Sequence, residues 1–81
     1  MNVLYVHATL KTHRVTSNEE KEINEIVSNF SKCLDANDKT KFTGIFSQLI
    51  SLIEALNNAN YTVKILAHKE RVELIIKGKG C

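Results

Sequence analysis

Residues Phe42–Asn58 read FTGIFSQLISLIEALNN, and the architecture turns on how this stretch folds. As one helix from about Lys41 to Asn58, it gathers Phe42, Ile45, Phe46, Leu49, Ile53 and Leu56 in the middle of an apolar arc. At about 100° per residue that arc spans roughly 160°, enough to meet a second helix on one flank and a sheet on the other. Glu54 is its only charged side chain. The reverse side would carry Gly44, Ser47, Ser51, Ala55 and Asn58, all small or uncharged. Small residues admit a neighbouring backbone, and depletion of charge marks the centre of interfaces. Gly44 inside a helix costs about 0.8–1 kcal/mol relative to Ala, a cost that a contact would offset. This ridge is the first candidate partner surface.

Upstream, Thr16 with Glu19 or Ser17 with Glu20 forms a capping box, and acidic residues fill the first turn of a helix. Ile23, Ile26, Val27, Phe30 and Leu34 follow at helical spacing, opposite Lys21, Glu25, Ser28, Lys32 and Asp35. Before that helix, VLYVHATL (3–10) alternates as a half-buried strand, with Leu4, Val6, Ala8 and Leu10 inward. The segment DANDKT (35–40) turns the chain, with Asp38 or Thr40 as the next N-cap.

Downstream, the Asn-rich NNAN (57–60) stops the second helix, because Asn tolerates the left-handed conformation. YTVKILA and RVELIIK then form a hairpin with Ala67 opposite Val72 and HKER at its tip. The expected order is β-α-α-β-β. It gives an α+β two-layer sandwich, with two antiparallel helices on one face of a three-stranded, mostly antiparallel sheet. Residues 1–77 make one domain and 78–81 a flexible C-terminal tail.

Composition narrows the function. The 81 residues carry a net charge of +2, with 43% hydrophobic and 25% charged residues, as expected of one ordinary globular domain. No apolar run is long enough to span a bilayer, and no basic segment precedes the N-terminal apolar stretch as in a signal peptide. Cys33 and Cys81 have no metal or redox spacing, which points to free thiols and a cytoplasmic setting. His7 and His13 share a strand face but lie ~20 Å apart, too far to hold one ion. No nucleophile–base pair or Gly-rich phosphate loop is present, so no enzyme, cofactor or metal is expected.

The outer face of the sheet is the second candidate surface, with Tyr5, His7, Lys64, Leu66, Arg71, Ile75 and Lys77. A long first strand with an open edge would also pair with its symmetry mate. Single-stranded nucleic acid is the alternative ligand for that face, although Tyr5 is a lone aromatic where stacking platforms use several. The β-α-α-β order is similar to the core of the KH domain, but DANDKT lacks that domain's GxxG loop. The sequence therefore leads to a small non-catalytic protein-interaction module, homodimeric, that masks a protein partner. Its size suits an accessory or inhibitor protein of a phage or mobile element.

Overall fold

The structure, a computed structural model, describes residues 4–30, 41–69 and 71–80. Its elements are β1 (Tyr5–His13), α1 (Ser17–Ser28), β2 (Lys41–Ile45), α2 (Phe46–Asn58), β3 (Thr62–Ala67) and β4 (Val72–Lys77). The order is β-α-β-α-β-β, so the expected three-stranded sheet is corrected to a four-stranded mixed sheet ordered β2-β1-β4-β3. β1 pairs antiparallel with β2 and parallel with β4, and β3 and β4 form the antiparallel hairpin with Ala67 opposite Val72.

The correction lies in the stretch that decided the reading. Lys41–Ile45 is a strand, and the helix begins only at Phe46. β-Branched Thr43 and Ile45 favour extended over helical backbone at this point, while Gly44 is a poor residue in either state. Phe42 and Ile45 also satisfy a helical spacing, so local pattern alone does not separate the two states. Pairing with β1 does: Ala8 sits opposite Phe42 and Val6 opposite Gly44. Phe42 is then 0% exposed in the core. No loop intervenes before α2, and Ile45 offers it no side-chain cap. The Phe46 N–H bonds instead to the Leu4 carbonyl oxygen at 3.1 Å.

The other signals lie closer to expectation. Thr16 and Glu19, one of the two pairings offered above, form the capping box of α1. Asn60 takes φ 72 just past α2, as a left-handed stop requires. Tyr61, immediately beyond, reaches back to Glu22 in the early turns of α1. The C-terminal end of α2 therefore meets the N-terminal end of α1, and the helices run in opposite directions.

Both helices cover the same face of the sheet. Val6, Ala8 and Leu10 of β1 meet Phe42, Leu74 and Ile76 of its neighbours, and Ile23, Val27, Leu49, Leu52 and Leu56 close over them. Full burial of each large aliphatic or aromatic side chain favours folding by about 1.5–3 kcal/mol. β1 lies between β2, which pairs with Tyr5–Thr9, and β4, which pairs with Ala8–His13, so it is not the long open edge that the three-stranded reading expected. DANDKT, Val3, Leu34 and Cys33 lie outside the described residues, as do Glu70 and Cys81.

Candidate interaction surfaces

Three surfaces arise from this topology, and one closed region sets them off. The closed region is where β1 and β4 end. Gly78 is buried, and its N–H donates to the His13 carbonyl at 3.0 Å. A Cβ on residue 78 would sit 2.0 Å from the Arg14 carbonyl oxygen, so only glycine fits. The backbone N–H of Lys79 donates to Glu19 Oε2 at 2.9 Å. Its ammonium lies 3.1 Å from Glu22 Oε1 and 5.0 Å from the centre of the Tyr61 ring. The Tyr61 hydroxyl donates to the same Glu22 oxygen at 2.6 Å. Gly78 is thus tied to the end of β1 and Lys79 to α1.

The electrostatics of this clasp are those of a fastening. Donation from the Lys79 and Thr16 backbone N–H groups holds the Glu19 carboxyl below its usual range. Donation from Tyr61, then from Lys79, does the same for Glu22. Burial, together with the Glu22 carboxylate, pushes the Tyr61 phenol above its ordinary value. Each of these shifts moves a group further from neutrality, opposite to what proton transfer near pH 7 needs. Among the described residues no group of three or more His, Cys, Asp or Glu could hold a metal ion.

The first open surface is the outer face of the sheet, over which no described element packs. The register places Tyr5 beside Ile45, and His7 beside Thr43, whose Oγ1 lies 3.4 Å from His7 Nδ1. Thr9 lies between Lys41 and Glu73, and Ile75 between Lys11 and Lys64. His13, Lys77 and Thr62 complete the rows. All seven residues read from the sequence for this face do share it: Tyr5, His7, Lys64, Leu66, Arg71, Ile75 and Lys77. The fold adds Lys11 and Lys41, which sequence reasoning missed because it lacked β2 and the order of strands. Lys11, Lys64, Arg71 and Lys77 face Glu73 as the acid among the described residues of this side, a balance of +3 where the whole chain is +2. Glu73 is already compensated by Lys11, 3.5 Å away. A groove of about 410 Å³ on this side is lined by His7, Thr9, Lys41, Thr43 and Arg71, among others.

The second surface is apolar and in two parts: Leu4, Phe46 and Ile50 at the end of the sheet opposite the clasp, and Ile65 midway along the outer strand β3. Leu4 is 73% exposed, Phe46 50%, Ile50 44% and Ile65 51%. These residues have the polarity of a core, and Leu4 and Ile65 lie on the helix-bearing side of the sheet, but the layer of helices leaves them uncovered. Leu4 and Phe46 border a cavity of about 320 Å³ with Val6, His68 and Val72. Ile65 lies on the terminal strand of the sheet, whose outer edge is unpaired, on the side away from β2 and Phe46.

The third is the ridge on α2, which the structure shortens. Gly44 belongs to β2, where a Cβ would meet Gln48 Oε1 at 2.8 Å and the Phe42 ring at 3.0 Å. Its glycine is explained by packing inside the chain rather than by a partner. Ser47, Ser51 and Asn58 remain exposed on the helix and Ala55 is half-buried. Hydroxyl and amide groups are well served by water there, whereas the exposed Phe46 and Ile65 are not.

No helix among the described residues is long and apolar enough to cross a membrane. Comparison with protein-family models, curated proteins and solved structures yields no match, so the surfaces themselves carry the functional reading.

Proposed function

We propose that this chain is a small non-catalytic protein-binding module that self-associates and uses the outer face of its sheet to mask an acidic surface on a partner protein. The observation that supports this most is the uncovered sheet face. It combines exposed Tyr5 and Leu66 with a balance of +3 among its described residues, while the acidic residues Glu19, Glu20, Glu22 and Glu25 all lie on α1. A face of one sign speeds encounter with a surface of the other sign and selects against like-charged partners. Apolar side chains between the charges supply area that is released from water on contact. Masking follows from shape: a sheet laid across a partner occludes what lies beneath it. Such a role suits an accessory or inhibitor protein of a phage or mobile element, acting in the cytoplasm.

The test is co-purification from the native cells, comparing the wild type with the double variant Lys11→Glu, Lys41→Glu. A partner that the wild type retains and the double variant loses fits this reading. Equal retention by both removes the sheet face from the account.

The same charge balance favours a second reading, in which the face binds single-stranded nucleic acid. That mode loses affinity steeply with salt as counterions are released. Binding of a fluorescent oligothymidylate at low salt, lost by moderate salt, would favour it. Absence of binding at low salt excludes it. Tyr5 is the one aromatic on the described part of the face, which favours the protein partner over a stacked strand.

A further inference from the structure

The free edge of β3 has a definite hydrogen-bonding phase. His68 N–H donates to the Arg71 carbonyl at 2.8 Å, so the hairpin closes on a bonded pair. Bonded and non-bonded pairs alternate along an antiparallel ladder. With Leu66 opposite Glu73, Lys64 opposite Ile75 and Thr62 opposite Lys77, those three residues of β3 turn their backbone groups toward β4. The bond from Gly78 N–H to the His13 carbonyl agrees, because it shows the even-numbered positions of β4 turned toward β1. Val63, Ile65 and Ala67 therefore direct their N–H and C=O groups to the open side. Their side chains share the helix-bearing face of the sheet, where Ile65 is 51% exposed.

We propose that β3 pairs antiparallel with β3 of a second copy of this chain, about a two-fold axis at Ile65, and so joins two four-stranded sheets into one. This deepens the proposed self-association and rests on it. Residues opposed across such a pair must lie on one face and match in bonding phase, which leaves a few registers to compare. Centring on Lys64 sets two ammonium groups face to face and leaves the outward groups of Ala67 unpaired. Centring on Leu66 leaves those of Val63 unpaired. Centring on Ile65 sets Val63 against Ala67 of the second copy and Ile65 against itself, so every outward N–H and C=O of the strand finds a partner.

Side chains agree with that register. On the helix-bearing face the new rows are entirely apolar: Val63–Ala67, Ile65–Ile65 and Ala67–Val63. On the outer face Lys64 falls opposite Leu66 of the second copy. Leu66 is itself the lateral neighbour of Glu73, so each Lys64 can reach toward the other copy's carboxylate across one leucine. The symmetry thus brings each Lys64 toward a carboxylate that it would share with Lys11, and sets no two ammonium groups opposite each other. An edge of six residues buries less than the ~1,000 Å² expected of a firm interface. The dimer is therefore one of micromolar or weaker affinity, formed and lost with concentration.

Sedimentation of the full chain from micromolar to millimolar concentration tests the proposal, with Ile65→Pro, Ile65→Lys and Ser51→Lys alongside the wild type. The N–H of Ile65 faces away from β4, so Ile65→Pro spares the hairpin ladder and blocks only the outer edge. Ile65→Lys places two ammonium groups at the axis and tests the same pairing should the proline variant fail to fold. The expected result is a wild type and a Ser51→Lys variant whose mass doubles with concentration, and Ile65 variants that remain monomers with unchanged circular dichroism. Wild type and Ile65→Lys dimerising equally would overturn the β3 pairing while leaving self-association in place. A wild type that is monomeric at millimolar concentration would overturn both. Partner binding by the sheet face is read independently, in the co-purification described above.

Discussion

The two ends of the sheet differ in how they finish the core. At one end Gly78, Tyr61 and Lys79 draw α1, β1 and β4 together through hydrogen bonds and an ion pair. Leu4 and Phe46 at the other end, and Ile65 along the β3 edge, reach the margin of the core and find no cover. The first end has the character of a finished interior and the second that of an interior cut open. The difference is one of supply. The clasp is built by polar side chains from the helix start and the last strand, while beyond Phe46 and Ile65 the helix layer has nothing further to offer. Association should therefore respond to changes along the open β3 edge and stability to changes at the clasp.

The largest effect expected is on the clasp. Gly78→Ala forces a Cβ against the Arg14 carbonyl, a backbone atom that cannot swing aside. It should cost about 3 kcal/mol or more, visible as a lower urea midpoint or as failure to fold. An alanine variant as stable as the wild type would show that the clasped end is looser than described.

The pH dependence of stability comes next. Glu19 and Glu22 have carboxyl groups held below the ordinary value of 4.5, so they contribute stability that is present above that pH and lost as pH falls below it. Tyr61 has a phenol raised above the ordinary 10.0, so its contribution is present below pH 10 and declines as pH rises beyond it. Thermal melts should show both declines. Tyr61→Phe keeps the buried ring, removes the alkaline decline and weakens the acid one by taking the donor from Glu22. A phenylalanine variant that keeps the alkaline decline would place its origin elsewhere.

Along the open β3 edge the order of effects is reversed. Ile65→Ser removes a half-exposed side chain, so the loss of stability should be about 1 kcal/mol or less. Self-association, measured by sedimentation, should nevertheless weaken several-fold. A large stability loss with unchanged association would make Ile65 part of the core and close the open edge. The smallest effect belongs to the ridge on α2. Ser51→Lys should change stability by no more than about 0.5 kcal/mol and leave the mass in solution as it was. Monomers from that variant would restore the ridge as the interface.

Most elements were legible because each carries its own punctuation. β1 alternates, α1 opens on a capping box, and the hairpin aligns two alternating runs. β2 was hidden because Phe42, Ile45 and Phe46 stand at a spacing that a helix accepts, and because no loop or capping residue separates Ile45 from Phe46. The absence of an N-cap before Phe46 and the Thr43–Gly44–Ile45 composition were the available signals, and both are weak beside the pairing with β1. The outer-face residues were legible once each strand's alternation was known. Lys11 and Lys41 joined them only when the strand order was known. The exposure of Phe46 and Ile65 is a further step removed, because it depends on which strand ends the sheet, and that order is set by long-range contacts.

The central claim, that the molecule associates through its β3 edge, is tested most directly by following backbone amide exchange and chemical shifts while the protein concentration is raised. The expected result is slower exchange at Val63, Ile65 and Ala67, shifts along β3, and no change at Gly78 or Lys79. Changes confined to Ser47, Ser51 and Asn58, or a spectrum that does not alter with concentration, would contradict it.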